Sequence, residues 1–352
     1  MKIRKRNIKN LNVAVGFDPL FWLGRSLFFS STYESVQAKP MSILSNSELK
    51  NVTESQNLDP WFVSGFTDGE GSFVVKIGRN EKLKSGWRVQ AVFSIGLHGK
   101  DLALLKQIQS FFHGIGTINS RKSDGSYHYV VNNIKEIKDI LIPHFENYPL
   151  ITQKRADFLL FKSIVELIID KEHLSITGVE KIVGLKFYLN KGLSEDLKAT
   201  FPHVIPVPRP QVEYPQISHP NWLAGFTSAE GHFFVSTSKV DHGVRVQLRF
   251  SISQHCRDAN LIKYFAEYLN CGVCGRHPDR ELVEFTVTKY SSLVEKIIPF
   301  FKKYPMIGMK SLDFSDFVRV ACIFKLEEGT NQSGIDQIIS IKGGMNTKRE
   351  IN

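Results

Sequence analysis

Polar and apolar residues alternate strictly along GVRVQLRFSISQH, residues 243–255. Arg245, Gln247, Arg249, Ser251 and Ser253 fall on one side, and Val244, Val246, Leu248, Phe250 and Ile252 on the other. A period of two marks a strand with one face in a core and the other in solvent. A weaker version begins at Arg88, where Arg88, Gln90, Val92 and Ser94 oppose Val89, Ala91, Phe93 and Ile95. Other stretches have the helical period. DLALLKQIQSFF, residues 101–112, spaces its apolar side chains three and four apart behind a leading Asp. Pro60 opens another helix, which the pattern carries to about Gly69. The neighbouring segments add strands over Phe73–Arg79, Gly116–Asn119 and Tyr127–Asn132, and helices over Lys135–Glu146, Gln153–Ile169 and around Val179–Asn190. The predicted order is αββαββα with a helical tail.

The same order then recurs. Gly65, Glu70, Gly71, Phe73 and Val75 match Gly225, Glu230, Gly231, Phe233 and Val235 at an offset of 160. FSIGLHGKD from Phe93 matches FSISQHCRD from Phe250, and IPHFENYPLITQKRADF from Ile142 matches IPFFKKYPMIGMKSLDF from Ile298. Gly178, Ile182, Lys186 and Asn190 match Gly334, Ile338, Lys342 and Asn346, now at an offset of 156. Chance does not hold register over such a distance, so the chain carries an internal repeat. The fold class is therefore α+β, with two pseudo-symmetric αββαββα units, each built on an antiparallel sheet, over residues 57–200 and 220–352. Residues 201–219 form the linker. With Pro220 the stretch holds six prolines in twenty residues, which preclude a helix and favour an extended chain. Residues 1–56 read as an extension outside the fold, disordered or processed. They are basic, with no acid before Asp18, and their apolar run is broken by Asp18 and Arg25, which argues against a membrane span. A transit peptide, a tail without a role and the remnant of an upstream reading frame all stay open there.

Charge and cysteine usage narrow the partners. Lys and Arg exceed Asp and Glu, giving a net charge of +10, which suits a polyanion or a merely soluble surface. The four cysteines, Cys256, Cys271, Cys274 and Cys322, include a single C-x-x-C without a second pair. That is too few ligands for a zinc site and reads as thiols in a reduced compartment.

The candidate chemistry lies in the repeated phrase. Gly65 and Gly69, like Gly225 and Ala229, are four apart and share a helix face. Glycine inside a helix costs roughly 1 kcal/mol against alanine, which a close helix–helix approach offsets, and the two copies are natural partners. Glu70 and Glu230 then end both helices, where the macrodipole disfavours an anion and where pairing sets two carboxylates together. Divalent cations remove both penalties, and oxygen ligands select a hard ion such as Mg²⁺. Two carboxylates holding Mg²⁺ beside a phosphate describe a phosphodiester hydrolysis site. Asp68 has Ser228 as its counterpart, so it reads as a helix-end or DNA-proximal residue rather than half of a metal site. The outward faces of the strands supply candidate base-reading side chains: Lys76, Arg88, Gln90, Ser94, His128 and Asn132 in the first unit. In the second they are Ser236, Ser238, Arg245, Gln247, Arg249, Ser251, Ser253, Thr286 and Thr288. Arg and Gln pair with guanine and adenine edges. A half-solvated sheet without a partner gives the same alternation.

WFVSGFTDGEGSF (residues 61–73) and WLAGFTSAEGHF (222–233), with FSISQH and YPLITQK downstream, resemble the LAGLIDADG homing endonucleases in their single-chain, double-motif form. Fungal mitochondrial intron-encoded members are the nearest in phrasing, and the resemblance covers about residues 58–350. It implies a monomer in which two saddle-shaped sheets read a long target in the major groove of double-stranded DNA. Glu70 and Glu230 would bind the divalent metals, and both strands would be cut across the minor groove to leave short 3′ overhangs. Gln254 matches a family glutamine near the scissile phosphate, whereas the first unit has Leu97 there. Lys154 and Lys310 stand at equivalent positions and match the basic residues that complete such sites, although helix-start caps or surface lysines explain them equally well. Two other functions are open to the same fold: an RNA maturase that assists splicing of its intron RNA, and a DNA-binding protein without catalysis.

Overall fold

The computed structural model describes residues 57–212, 216–241, 243–325, 331–346 and 349. The extension predicted over residues 1–56 lies outside them. The first unit runs α1 (Pro60–Glu70), β1 (Gly71–Arg79), β2 (Trp87–His98), α2 (Leu102–Phe111), β3 (Thr117–Arg121), β4 (Ser126–Val131), α3 (residues 134–147), α4 (Lys154–Ile169), α5 (Ile176–Lys186) and α6 (Glu195–Thr200). The second runs α7 (Pro220–Glu230), β5 (Gly231–Val240), β6 (Gly243–His255), α8 (Ala259–Tyr268), β7 (Val273–Arg276), β8 (Leu282–Val287), α9 (residues 290–303), α10 (Met309–Lys325) and α11 (Gln332–Gly343). The sheets are four-stranded and antiparallel, with orders β1-β2-β4-β3 and β5-β6-β8-β7. Equivalent phenylalanines face each other in both, Phe73 opposite Phe93 and Phe233 opposite Phe250. The predicted αββαββα order therefore holds in each unit.

Phenylalanine builds both cores. The Phe73 ring packs 5.3–5.4 Å from Phe93, Phe145, Phe158 and Phe161, and Phe233 meets Phe250, Phe301, Phe314 and Phe317 in the same way. Each buried aromatic contributes about 1.5–3 kcal/mol. The period-two reading of β2 and β6 is thereby explained, because Phe93, Ile95, Phe250 and Ile252 all point inward.

Three details depart from the pattern. Helices α3 and α9 each contain a π-helical turn, Ile137–Leu141 and Leu293–Ile297. A proline follows each one at the start of the next turn. Proline has no N–H to give to the carbonyl four residues back, and the neighbouring Ile142 N–H reaches Ile137 instead. Helix α6 was not expected. Ser194 caps it and Leu197 anchors it in the core. The tail helix stops at Lys186, and Asn190 sits beyond it at φ +52. The described part of the linker carries no helix, as its prolines require, and its Arg209 pairs with Asp157 of α4. No helix among the described residues is long and apolar enough to cross a membrane.

The two units meet along α1 and α7. A Cβ added to Gly65 would lie 1.9 Å from the Trp222 carbonyl oxygen, and one added to Gly225 would lie 2.0 Å from that of Phe62. The helices touch backbone to backbone, and only glycine permits that. The helical stretch between these glycines and the two glutamates is the same length in both copies, so the pairing sets the position of both acids.

Candidate active site at the paired helix ends

Helices α1 and α7 end side by side. A Cβ on Gly69 would stand 2.3 Å from the Ala229 Cβ and 3.5 Å from Glu230 Oε1, so the second unit's acid packs against the end of the first unit's helix. Each strand starts at the residue after its glutamate, at Gly71 and Gly231. Both acids therefore stand where helix gives way to sheet. Burial, and then the neighbouring Glu230, push the Glu70 carboxyl up to about 7, against the pull of Lys154 and Lys310. Burial raises Glu230 too, and Lys154, Gln254 and Lys310 oppose it. Burial makes ionised carboxylates costly here, the two acids stand close to each other, and the donors are carboxylate oxygens. This donor set suits a hard divalent cation, which Glu70 and Glu230 would hold.

The two lysines flank this pair. Lys154 Nζ donates to the carbonyls of Thr67 (2.9 Å) and Gly69 (2.8 Å), so it caps the last turn of α1. It is neither a surface lysine nor a helix-start cap. Lys310 makes no such carbonyl bond among the described residues. Burial lowers the proton affinity of both, while the surrounding carboxylates hold it up. Gln254 stands beside Glu230, and Leu97 occupies the equivalent position in the first unit.

Asp68 lies in the last turn of α1, as the helix-end reading has it, and its side chain is turned into the protein. It is buried and accepts from Ile151 N (2.9 Å), Thr152 N (3.3 Å), Thr152 Oγ1 (2.5 Å) and Trp222 Nε1 (2.9 Å). Burial still leaves its carboxyl raised to about 6, because desolvation outweighs those bonds. Ser228 does a smaller version of the same job, accepting from Ile307 N at 3.2 Å.

The sheet faces mostly follow the period-two reading. Lys76, Arg88, Ser238, Arg245 and Gln247 are exposed, and Gln90, Ser94, His128, Ser236, Arg249, Ser253 and Thr286 are half-buried. Asn132 and Thr288 are exposed just past the ends of β4 and β8. Ser251 is a correction: it is 3% exposed, on a central strand between His232 and Thr286, and cannot reach a partner as it stands. Two others are already engaged. Ser253 donates to Glu284 at 3.2 Å, and the Arg249 guanidinium lies 5.4 Å over the Phe234 ring.

Pattern reasoning passed over Asp101 and Asp258, although both sit in the matched FSIGLHGKD and FSISQHCRD blocks. Each accepts a backbone N–H from the other unit, Met309 N to Asp101 and Gln153 N to Asp258, both at 2.7 Å. All four cysteines are free thiols, and they are half-buried rather than buried. Among the described residues the converging metal-type set is His255, Cys256 and Glu281 rather than the C-x-x-C. Both ring nitrogens of His255 are engaged there, by the Arg257 N–H and by Glu281.

A family model of the LAGLIDADG endonuclease matches the chain twice, over residues 63–165 and 223–321. The chain belongs to the LAGLIDADG endonuclease family. Each match starts inside a paired helix and ends in the long helix, α4 or α10, that presents the lysine. Among similar proteins, probable intron-encoded endonuclease 2 of Neurospora crassa is 40% identical over 298 residues, 82% of this chain and 65% of that protein. Probable intron-encoded endonuclease 3 of the same organism is 38% identical, over 81% of this chain and 54% of that one. The chain thus spans a little over half to about two thirds of these relatives. The LAGLIDADG homing endonuclease I-SmaMI, solved bound to cleaved DNA, is 41% identical with a TM-score of 0.82, covering 84% of this chain and all of that one. I-GzeII, solved with its DNA target, is 40% identical with a TM-score of 0.79. I-SmaMI has also been solved on uncleaved DNA with calcium ions.

Proposed function

We propose that this LAGLIDADG protein is a monomeric, site-specific double-strand DNA endonuclease of the intron-homing type, dependent on Mg²⁺ and acting in mitochondria. One observation carries the reading. Two glutamates from two register-true copies end helices in backbone contact, and their carboxylates are buried beside each other and beside two lysines. DNA-bound neighbours and fungal intron-encoded relatives support the substrate and the compartment.

Glu70 and Glu230 would hold the cations. Bound there, Mg²⁺ would polarise the phosphodiester and lower the proton affinity of water. The chain's own side chains do the rest. Lys154 keeps the end of α1 in place, and Lys310 offers an ammonium to the charge that builds on phosphate. Gln254, whose Oε1 accepts from His255 N, stands beside Glu230 and would orient it. The outward faces of the two sheets lie along the duplex and carry the base-reading arginines and glutamines.

The test is cleavage of a duplex selected from a random library, with Mg²⁺ and with Ca²⁺. Mg²⁺ should support scission of both strands, whereas Ca²⁺ should support binding. Glu70→Gln or Glu230→Gln should reduce double-strand scission at least about a thousandfold with binding retained. Scission that survives either change, or binding indifferent to salt, overturns the proposal.

A further inference from the structure

The helices that carry Lys154 and Lys310 are each capped by the opposite unit. Asp258, on the second unit, accepts from Gln153 N, the residue before Lys154. Asp101, on the first, accepts from Met309 N, the residue before Lys310. Both bonds are 2.7 Å long, and Asp258 is 5% exposed. An amide fixed one residue away leaves the lysine's backbone little freedom. We infer that Asp101 and Asp258 are positioning residues that act across the unit boundary, each setting the lysine of the other unit. This rests on the endonuclease reading above and deepens it, since it couples the two strand-cutting centres to each other.

The two caps are not equally backed. At the start of α4, Thr152 Oγ1 also accepts from Lys154 N at 3.1 Å, and Thr152 is itself tied to Asp68. Lys154 is further held through its Nζ by the Thr67 and Gly69 carbonyls. At the start of α10 the counterpart of Thr152 is Gly308, with φ +82. A Cβ there would meet Asp101 Oδ1 at 2.5 Å, so the approach of Asp101 itself excludes a side chain that could share its work. Lys310 therefore depends on Asp101 more than Lys154 depends on Asp258.

Strand-specific kinetics test this. A selected duplex labelled differently on its two strands is cut by the full chain and by Asp101→Ala, Asp258→Ala and the corresponding Asn variants. Pseudo-twofold symmetry exchanges the two aspartates as it exchanges the two strands. Asp101→Ala should slow one strand at least about tenfold, and Asp258→Ala the other strand about threefold. The remaining strand should stay near the parent rate in each case. Asparagine caps a helix as well as aspartate does, so both Asn variants should recover most of the loss. A purely structural cap would lower the melting temperature and slow both strands together. Equal slowing of both strands, or no slowing in a variant that melts like the parent, overturns the inference while leaving the endonuclease reading intact. A parent chain that cuts neither strand sinks both.

Discussion

The two units agree where helices must touch and differ where the chemistry lies. Gly65 and Gly225 make reciprocal backbone contacts to Trp222 and Phe62. Asn190 and Asn346, at φ +52 and +58, each give their side-chain amide to the carbonyl of a core phenylalanine, Phe73 or Phe233. Asp157 and Asp313 each take an arginine. Around the glutamates the lysines match but several neighbours do not: the second unit has Ser228 in place of Asp68, Gly308 in place of Thr152 and Gln254 in place of Leu97. A steric constraint at an interface binds both copies alike, because each is the other's partner. A site that meets two DNA strands, as proposed above, would face sequences that need not be the same, so nothing would hold its two halves equal.

The strictest part of the symmetry should break hardest. Gly65→Ala and Gly225→Ala each drive a methyl to about 2 Å from a main-chain oxygen, and backbone cannot swing aside as a side-chain tip can. Each should lower unfolding stability by about 3 kcal/mol or more, by nearly the same amount in the two units, as read by urea denaturation. Gly69→Ala would meet the Ala229 Cβ at 2.3 Å, and a Cβ cannot swing away from its own backbone, so it should be costly as well. A tolerated alanine at position 65 beside a damaging one at 225 would end the claim of equivalence.

Next in size is a pH effect confined to the site. Glu70 is raised to about 7 and Asp68 to about 6. Both bind protons more tightly in the folded chain than in the unfolded one. The stability this gives is present at low pH and is lost as pH climbs through the folded values. From these two groups metal-free protein should weaken between about pH 5 and 7.5 by roughly 4 kcal/mol, offset by about 2 kcal/mol from buried His144, whose pKa burial lowers to about 3. Mg²⁺ should restore the loss at pH 7.5 and do little at pH 5, where a proton occupies Glu70. Thermal melts with and without Mg²⁺ read this directly, and Glu70→Gln should flatten the slope. A pH slope that Glu70→Gln leaves unchanged would contradict the crowding of carboxylates on which the site rests.

How much of this the chain discloses depends on the kind of signal. The αββαββα order and both glutamates were legible because periodicity and repetition are local. The role of Asp68 was not, because its four donors come from segments about 80 and 154 residues away. Asp101 and Asp258 sat in plain view in matched blocks, yet their partners lie across the unit boundary. Arg209 and Arg349 were hidden differently. They do the same work for Asp157 and Asp313 from positions that do not align in the repeat, one in the linker and one near the chain end. Ser251 shows the limit of period two: alternation gives the face a residue points to, and larger neighbours decide whether it is covered.

The smallest expected effect is the one that sharpens the comparison most. Gln254→Leu gives the second unit the side chain the first already has at Leu97. If Gln254, which stands beside Glu230 and holds its proton affinity down, acts by donating to that carboxylate, losing it removes about 1 kcal/mol of stabilisation. That corresponds to about a fivefold slowing of a single strand. The same loss raises the proton affinity of Glu230, so the pH at which that strand reaches half its full rate should move upward. The other strand, served from the Leu97 side, should keep both its rate and its profile. Any inequality between the strands in the parent should then shrink, because the two sites have become more alike. If both strands slow together, Gln254 supports the fold rather than one centre, and the asymmetry of the two halves is not chemical at that position.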